Sequence, residues 1–179
     1  MKMKLVSAAL LTATMAASAL FAQGPLPREA PGLEFTSTRG EKVSLADLKG
    51  KPVIVMFFST TCPHCQSTAE TMAPIYNELK PKGMEIIGLA IDKDAKKNIN
   101  SFVSNHAVRF PVAATDRPAF HQFTGVPIMA RFYYPYLLFI DKNGMIRNET
   151  DGSNRAFFGA LDNNLYKTMS ALLAEKPTS

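Results

Sequence analysis

The sequence is poor in the residues from which metal sites are built. Its 179 residues include two cysteines, three histidines and no tryptophan. A structural zinc site usually takes four cysteine or histidine ligands, and no second cysteine pair is present to supply them. We therefore predict no bound metal and no cofactor, and any cysteine chemistry has to come from the single pair.

The chain also lacks low-complexity tracts, internal repeats and dense runs of basic residues. With 46% hydrophobic and 20% charged residues, its composition is that of an ordinary globular protein, which argues against disorder and against a fibrous class. Without a basic cluster, nucleic acid is not an expected partner. The length suits one domain with a proper core, and a monomer is the default expectation.

Residues 1–22 have the layout of a secretory signal peptide. Two lysines precede an apolar, Ala-rich run that ends in small residues, so cleavage is expected after Ala22 or, as a second choice, after Ala19. The alternative is an uncleaved membrane anchor, because residues 5–22 could almost span a bilayer. The many Ser, Thr and Ala residues make that run weakly apolar, which favours cleavage. Export predicts a periplasmic or other extracytoplasmic location, where disulfides persist.

After this segment, residues 23–34 contain three prolines and are expected to form an extended leader to a domain at 35–176. Buried strands are predicted at 52–58 and 84–92, because both runs are apolar without polar alternation. Other elements predicted in this half are a short strand and helical turn at 41–51, a helix from the cysteines to about residue 80 that Pro74 kinks, a helix at 95–105, a short strand at 109–114 and a helical turn at 117–123.

The last third of the chain predicts a hairpin and a helix. The Asn-Gly pair of "DKNG" lies between apolar runs at 136–141 and 145–149, which is a strong hairpin signal. From 154 to 174 apolar residues recur at helical spacing and predict one final helix. Alternating strands and helices give parallel neighbours, and the hairpin adds antiparallel strands. The expected fold class is α/β, with a mixed central sheet and helices on both faces.

The stretch "FFSTTCPHCQ" contains both cysteines. Cys62 follows a buried strand and opens a helix, where free backbone N–H groups and the helix dipole would stabilise a thiolate. Pro63 suits the first helical position, and His64 adds a hydrogen-bond donor near the sulfur. Cys65, one turn further, is expected to be more buried and to resolve a mixed disulfide. We therefore predict that Cys62 is the nucleophile and Cys65 the resolving cysteine of a redox centre.

Two other interpretations of the pair remain open at this point. A structural disulfide that closes so short a ring would restrain little of the unfolded chain. A metal site would have to recruit ligands from the three histidines, and isolated histidines are usually ordinary surface or core residues. Redox chemistry is favoured over both.

The surrounding motifs resemble the TlpA/ResA-like branch of the thioredoxin superfamily, with its redoxin or AhpC/TSA-like domain. They are "APGLEFTSTRGEKVSLADLKGKPVIVMFFSTTCPHC", "GMEIIGLAID" and "YPYLLFIDKNGMI". The Pro-His dipeptide between the cysteines is instead similar to that of DsbA-type oxidases. The resemblance implies a thioredoxin-like fold and thiol–disulfide exchange with protein thiols and disulfides. It also implies a redox partner in the membrane or the periplasm.

The resemblance further implies a cis-proline that faces the cysteines from the strand before the hairpin. Pro135 lies six residues before Asp141, which is the family's usual spacing, whereas Pro127 does not fit it. Pro135 is therefore the candidate, with a simple strand-edge proline as the alternative. Tyr134 would supply a backbone contact to substrate.

Residues 126–133 look like a local insertion close to this site. Phe132, Tyr133 and Tyr134 are candidates to line an apolar substrate groove, and aromatic packing into the core is the alternative for all three.

Three positions depart from the family pattern. Thr68 stands where reductive members carry a glutamate, Met56 where thioredoxins and DsbA carry a buried acid, and Thr61 where a tryptophan is usual. Glu70 is near in sequence, but on a helix it would point elsewhere. Proton transfer would then need water, His64 or another group. These departures leave the redox direction open, since Pro-His favours an oxidising disulfide and the family is often reductive.

Two alternative functions share the expected fold. A peroxiredoxin would use Ser59, three residues before Cys62, but Val55 replaces the proline expected four residues earlier. A copper metallochaperone would hold the metal through Cys62, Cys65 and a histidine such as His121. Its relatives generally have three residues between the cysteines, whereas this chain has two.

Overall fold

The structure is a computed structural model that describes residues 25–176. The predicted signal peptide lies outside the described residues. The strands are β1 (Arg28–Glu29), β2 (Glu34–Thr36), β3 (Lys42–Ser44), β4 (Val53–Phe58), β5 (Glu85–Ala90), β6 (Val112–Ala114), β7 (Tyr136–Ile140) and β8 (Met145–Asp151). The α-helices are α1 (Pro63–Leu79), α2 (Ala95–Asn105), α3 (Arg117–Thr124), α4 (Arg155–Phe158) and α5 (Leu161–Ala174), and 3₁₀ turns follow β3 (Leu45–Leu48) and α1 (Lys80–Lys82).

Six strands form one mixed sheet in the order β1-β8-β7-β4-β5-β6, and β2 pairs with β3 in a separate hairpin. β4 is parallel to β5, and β5 is parallel to β6. β7 is antiparallel to β4 and to β8. This confirms the mixed sheet predicted from strand–helix alternation followed by a hairpin. Because β4 and β5 are parallel neighbours, the segments that follow them emerge at the same end of the sheet.

β4 is the centre of the molecule, and all six of its residues are buried. Ile54, Met56 and Phe58 pack into the core on one face, together with residues of α1, α2 and α5. The alternate side chains pack on the other face against α3 and the β2–β3 hairpin. Helices therefore cover both faces of the sheet, as predicted, and β4 is a rigid base for the segment that follows it. Within residues 25–176, no helix is long and apolar enough to cross a bilayer.

The final helical segment differs from its prediction. One helix was expected from 154 to 174, but the chain forms α4, breaks at Gly159 and Ala160, and continues as α5. The side-chain amide of Asn164 donates to the carbonyls of Ala156 and Phe157 at 3.2 and 2.8 Å. These carbonyls would otherwise accept helical hydrogen bonds, and glycine is a poor helix former, so the helix divides here.

The leader is partly built into the sheet. β1 pairs with β8, with Arg28 opposite Ile146. The Arg28 guanidinium donates to the carbonyl of Thr124 at 3.0 Å and to the carboxylate of Glu149 at 2.7 Å. An extended leader was predicted at 23–34, but its pairing with the sheet edge was not, because two paired residues leave no periodic pattern in the sequence.

Candidate active site

Cys62 lies where the sheet meets a helix. It is the N-cap residue of α1, with φ −82° and ψ 119°, and Pro63 takes the first helical position as predicted. The Cys62 N–H donates to the carbonyl of Ser59 at 3.2 Å, which closes the turn between β4 and α1. The Cys62 side chain is partly exposed. A partner sulfur can therefore reach it at the end of the helix where backbone N–H groups lack helical acceptors.

Cys65 lies one turn further along α1 and is fully buried. Both cysteines are free thiols in this structure. Burial raises the pKa of the Cys65 thiol well above its usual value, a hydrogen bond from the Ser59 backbone opposes that rise, and the neighbouring Cys62 and Asp92 add to it. The two sulfurs thus differ in accessibility, as the sequence predicted for a nucleophile and a resolving cysteine.

An open groove of about 690 Å³ is lined by His64, the residue that precedes Cys65 in the cysteine motif. His64 lines it from α1 and Tyr133 lines it from the segment before β7, and both side chains are exposed. Its other wall consists of Gly152, Ser153, Arg155, Phe158 and Gly159. The structure therefore brings together two of the residues predicted near the site, His64 and Tyr133.

The Tyr134–Pro135 peptide bond is cis, and Pro135 is buried. The Tyr134 side chain packs against the core on both faces of the sheet. Burial raises its pKa, and Arg117 partly opposes that rise. Gly152 covers the Tyr134 carbonyl so closely that a Cβ on Gly152 would lie 2.1 Å from the oxygen. The side chain of Tyr134 is therefore a packing element, and its backbone contact to substrate stays a prediction.

Residues 126–133 connect α3 to this segment. Ile128 is 80% and Met129 is 95% exposed, whereas Phe132 is partly buried. The Phe132 ring centroid lies 4.2 Å from that of Phe120, within the core. Of the aromatic residues considered for the groove, Phe132 thus follows the alternative of core packing, and Tyr133 is the one that lines it.

The three positions that depart from the family pattern carry no charge here. Met56 is fully buried in the apolar core, and Thr68 is buried on α1. Glu70 turns away, as predicted, and its carboxylate contacts Nδ1 of His106 at 2.7 Å. The acids known from the family are therefore absent at their usual places.

A different carboxylate approaches the cysteine turn. Both oxygens of Asp92 accept hydrogen bonds from Thr60, one from the backbone N–H at 2.8 Å and one from the hydroxyl at 2.9 Å. Asp92 is the last residue of the motif "GMEIIGLAID", but the sequence predicted no role for it at the site. The available signal was positional, because Asp92 follows β5 at the same end of the sheet as the turn that follows β4.

The third ligand of the copper alternative is not found beside the cysteines. Nδ1 of His121 contacts the carbonyl of Val126 at 2.8 Å, and its ring packs edge-on against Phe120. Within residues 25–176, no three His, Cys, Asp or Glu side chains are grouped so that they could hold a metal ion. The geometry therefore gives the copper alternative no support.

The comparisons with known proteins agree with this site. The family model described as AhpC/TSA family matches residues 27–149. The thiol-disulfide oxidoreductase ResA of Bacillus thuringiensis subsp. konkukian is 33% identical over 126 residues, which cover 70% of this chain and 69% of that protein. ResA of Bacillus thuringiensis strain Al Hakam is 38% identical over 86 residues. That match spans only about half of each chain, 48% of this one and 49% of the relative.

A solved structure gives the fold. The thiol:disulfide interchange protein of the thioredoxin family from Chlorobium tepidum superposes with a TM-score of 0.71 at 22% identity. It covers 84% of this chain and 99% of its own. At that identity the similarity concerns architecture, and it confirms the predicted thioredoxin-like fold. The chain belongs to the AhpC/TSA family, on its branch of ResA-like thiol–disulfide oxidoreductases.

Proposed function

We propose that the protein is an exported thiol–disulfide oxidoreductase that exchanges disulfides with protein substrates through Cys62 and Cys65. The observation that carries the proposal is the asymmetry of the pair. Cys62 is reachable at the start of α1, whereas Cys65 is fully buried one turn below it. The relatedness to ResA-type proteins supports the same chemistry.

The exchange proceeds in two displacement steps. The Cys62 thiolate attacks a substrate disulfide, a Cys62–substrate disulfide forms, and the second substrate sulfur leaves and takes up a proton. The Cys65 thiol then loses its proton to water and its sulfur attacks Cys62. The Cys62–Cys65 disulfide forms, the bond to the substrate breaks, and two electrons have passed to the substrate. The reverse sequence would donate the disulfide instead.

The neighbouring residues have supporting roles in this proposal. Pro63 fixes the first turn of α1, and His64 offers an exposed donor beside the groove. Tyr133, which lines the groove from the segment before β7, would contact the substrate. The backbone around Tyr134 and Pro135 would align an extended substrate segment.

Location and direction follow from the sequence features within this proposal. The predicted signal peptide places the protein outside the cytoplasm, with a membrane or periplasmic redox partner. In DsbA the Pro-His dipeptide stabilises the reduced thiolate and gives a potential of about −120 mV. The same dipeptide here favours an oxidising disulfide, but the direction stays open, because a membrane partner that keeps the pair reduced would make the protein a reductase. A redox potential measured against glutathione, together with the partners trapped by Cys65→Ala, would give the direction.

Trapping tests the proposal directly. Cys65→Ala should accumulate mixed disulfides with partner proteins in the cell envelope, because the resolving sulfur is gone. Cys62→Ala should accumulate none, since Cys65 is buried. Non-reducing electrophoresis followed by mass spectrometry would identify the partners. Equal trapping by both variants, or trapping by neither, would refute the assignment.

The peroxidase alternative is tested with the same protein. Peroxide consumption by the unmodified chain is compared with that of Cys62→Ser. A thiol–disulfide oxidoreductase should consume peroxide slowly and exchange disulfides quickly. Fast peroxide consumption that depends on Cys62 would favour the alternative.

A further inference from the structure

The turn at residues 59–61 touches both cysteines. The Ser59 carbonyl accepts the hydrogen bond from the Cys62 N–H, and the Ser59 backbone also hydrogen-bonds to the Cys65 sulfur. Any shift of this turn would therefore move the Cys62 backbone and a group that contacts the Cys65 sulfur. What holds the turn in place bears directly on the reaction.

Thr60, in the middle of the turn, is anchored from two elements. Its backbone N–H and its hydroxyl bind the two carboxylate oxygens of Asp92, at 2.8 and 2.9 Å. Its carbonyl accepts from the Gln66 amide of α1 at 3.1 Å. Thr60 itself is 5% exposed. Hydrogen bonds to a charged acceptor are stronger than neutral ones, so the Asp92 contact is the firmer of the two anchors.

No ion pair among residues 25–176 includes Asp92. The titratable groups that act on Cys65 come from three elements: Cys62 from the start of α1, Asp92 from the end of β5 and Tyr134 from the segment before β7. A basic side chain also lies in this neighbourhood, because Arg117 of α3 hydrogen-bonds to Tyr134.

We propose that Asp92 is a positioning residue of the thiol–disulfide centre, which holds the turn at 59–61 through Thr60 and places a negative charge near the buried Cys65 sulfur. The two effects oppose each other. A firm turn keeps the Ser59 backbone on the sulfur and stabilises a thiolate there, whereas the charge repels it. Asp92 thereby sets the pH at which Cys65 can resolve a mixed disulfide. This inference rests on the proposed function.

The opposing effects can be separated by two substitutions. Asp92→Asn removes the charge but retains both contacts, because its carbonyl oxygen can accept from the Thr60 N–H and its amide can donate to the Thr60 hydroxyl. Thr60→Val removes the hydroxyl contact but leaves the charge. Asp94→Asn is the matched control, since Asp94 is exposed, begins α2 and makes no side-chain capping bond.

The starting species is the mixed disulfide between Cys62 and glutathione, with Cys65 still a thiol. The experiment measures the single-turnover rate at which Cys65 displaces glutathione from it, from pH 6 to pH 10. Asp92→Asn should displace the profile to lower pH and speed resolution about threefold at pH 8, the effect of half a pH unit of ionisation. Thr60→Val should slow resolution at pH 8 by about the same factor of three. Thr60→Ser keeps a hydroxyl and should resolve the mixed disulfide at the rate of the unmodified protein. Asp94→Asn should leave the profile unchanged.

The inference is overturned if Asp92→Asn follows the Asp94→Asn profile, or if it slows resolution. If Asp92→Asn fails to fold, as judged by circular dichroism, the two Thr60 variants provide the test. Equal resolution rates for Thr60→Val and Thr60→Ser would then refute the role of the Thr60 hydroxyl as an anchor for the turn. In both cases the unmodified protein still forms and resolves the mixed disulfide. Absence of that reaction in the unmodified protein would instead refute the proposed function.

Discussion

Two aspartates, Asp92 and Asp141, end strands at opposite ends of the sheet. Asp92 follows β5, which runs parallel to β4, and Asp141 follows β7, which runs antiparallel to it. Both carboxylates organise a turn. Asp141 accepts from the backbone N–H groups of Asn143 and Met145 at 2.8 and 2.9 Å, much as Asp92 accepts from Thr60.

Their electrostatic surroundings differ. Asp141 is 1% exposed, and the Arg147 guanidinium lies 3.2 Å from its carboxylate and compensates its charge. Asp92 is only partly buried and forms no ion pair within residues 25–176. The same residue type thus stabilises a hairpin at one end of the sheet and holds the cysteine turn, without an ion-pair partner among residues 25–176, at the other. The difference fits the positioning role that we propose for Asp92.

The strongest test of this comparison is Asp141→Ala. It leaves two backbone N–H groups and the Arg147 guanidinium without their acceptor, so the free energy of unfolding should fall by about 3 kcal/mol. Disulfide exchange by the folded fraction should stay unchanged, because the site lies at the other end of the sheet. Urea denaturation and insulin reduction measure the two quantities.

Asp141→Asn provides the matched control for that experiment. It retains an oxygen that can accept from Asn143 and Met145, so it should lose less than half as much stability. A large fall in exchange rate with either variant would break the comparison, since it would show that the hairpin end also serves the chemistry.

Gly152→Ala should have the next largest effect, and it acts at the cysteine end. The added Cβ would lie 2.1 Å from the Tyr134 carbonyl oxygen, and backbone atoms cannot move aside as a flexible side chain can. We expect a loss of about 2 kcal/mol in unfolding free energy and at least a tenfold fall in exchange rate, as the segment shifts. Gly32→Ala is the control, because a Cβ there meets no atom within 4 Å. Equal rates for the two variants would contradict the expectation.

The smallest effect concerns pH. In the unfolded chain Cys65 ionises above about pH 8.5, whereas burial raises its pKa in the fold, so the folded thiol keeps its proton. Above that pH the unfolded state binds fewer protons than the folded state. The unfolding free energy of the reduced protein should therefore fall as pH rises from 8.5 to 10, by at most about 1.4 kcal/mol per pH unit.

The oxidised protein has no thiol at this position and is the control for the pH experiment. Denaturation of both forms at each pH isolates the contribution of the pair. If the two forms lose stability in parallel over this range, the buried thiol is not the cause. Tyr76, whose pKa burial also raises, contributes only at still higher pH and equally in both forms.

Much of the fold could be predicted because its signals are local. The apolar run of β4, the Asn-Gly turn between β7 and β8 and the proline after Cys62 each specify a conformation within a few residues. The split between α4 and α5 could not be predicted, because it depends on the hydrogen bonds that the Asn164 amide donates to the carbonyls of Ala156 and Phe157. The pairing of β1 with β8 joins residues more than a hundred positions apart and leaves no local trace.

The residues of the site show the same difference between local signals and contacts that depend on the fold. Cys62 and Cys65 carry a motif, and Pro135 follows a family spacing. Asp92 ends the motif "GMEIIGLAID", but no role was predicted for it, because its contact with the cysteine turn arises from the parallel pairing of β4 and β5. Residues that act on a motif from a neighbouring strand are therefore the ones that sequence patterns miss.

The break at Gly159 has a consequence for how such a protein can diversify. It makes α4 a separate four-residue unit, and that unit supplies much of the groove wall that faces His64 and Tyr133. The two cysteines, by contrast, are positioned by β4 and α1. Substitutions in α4 should therefore change the groove that we propose for substrate without displacing the two sulfurs.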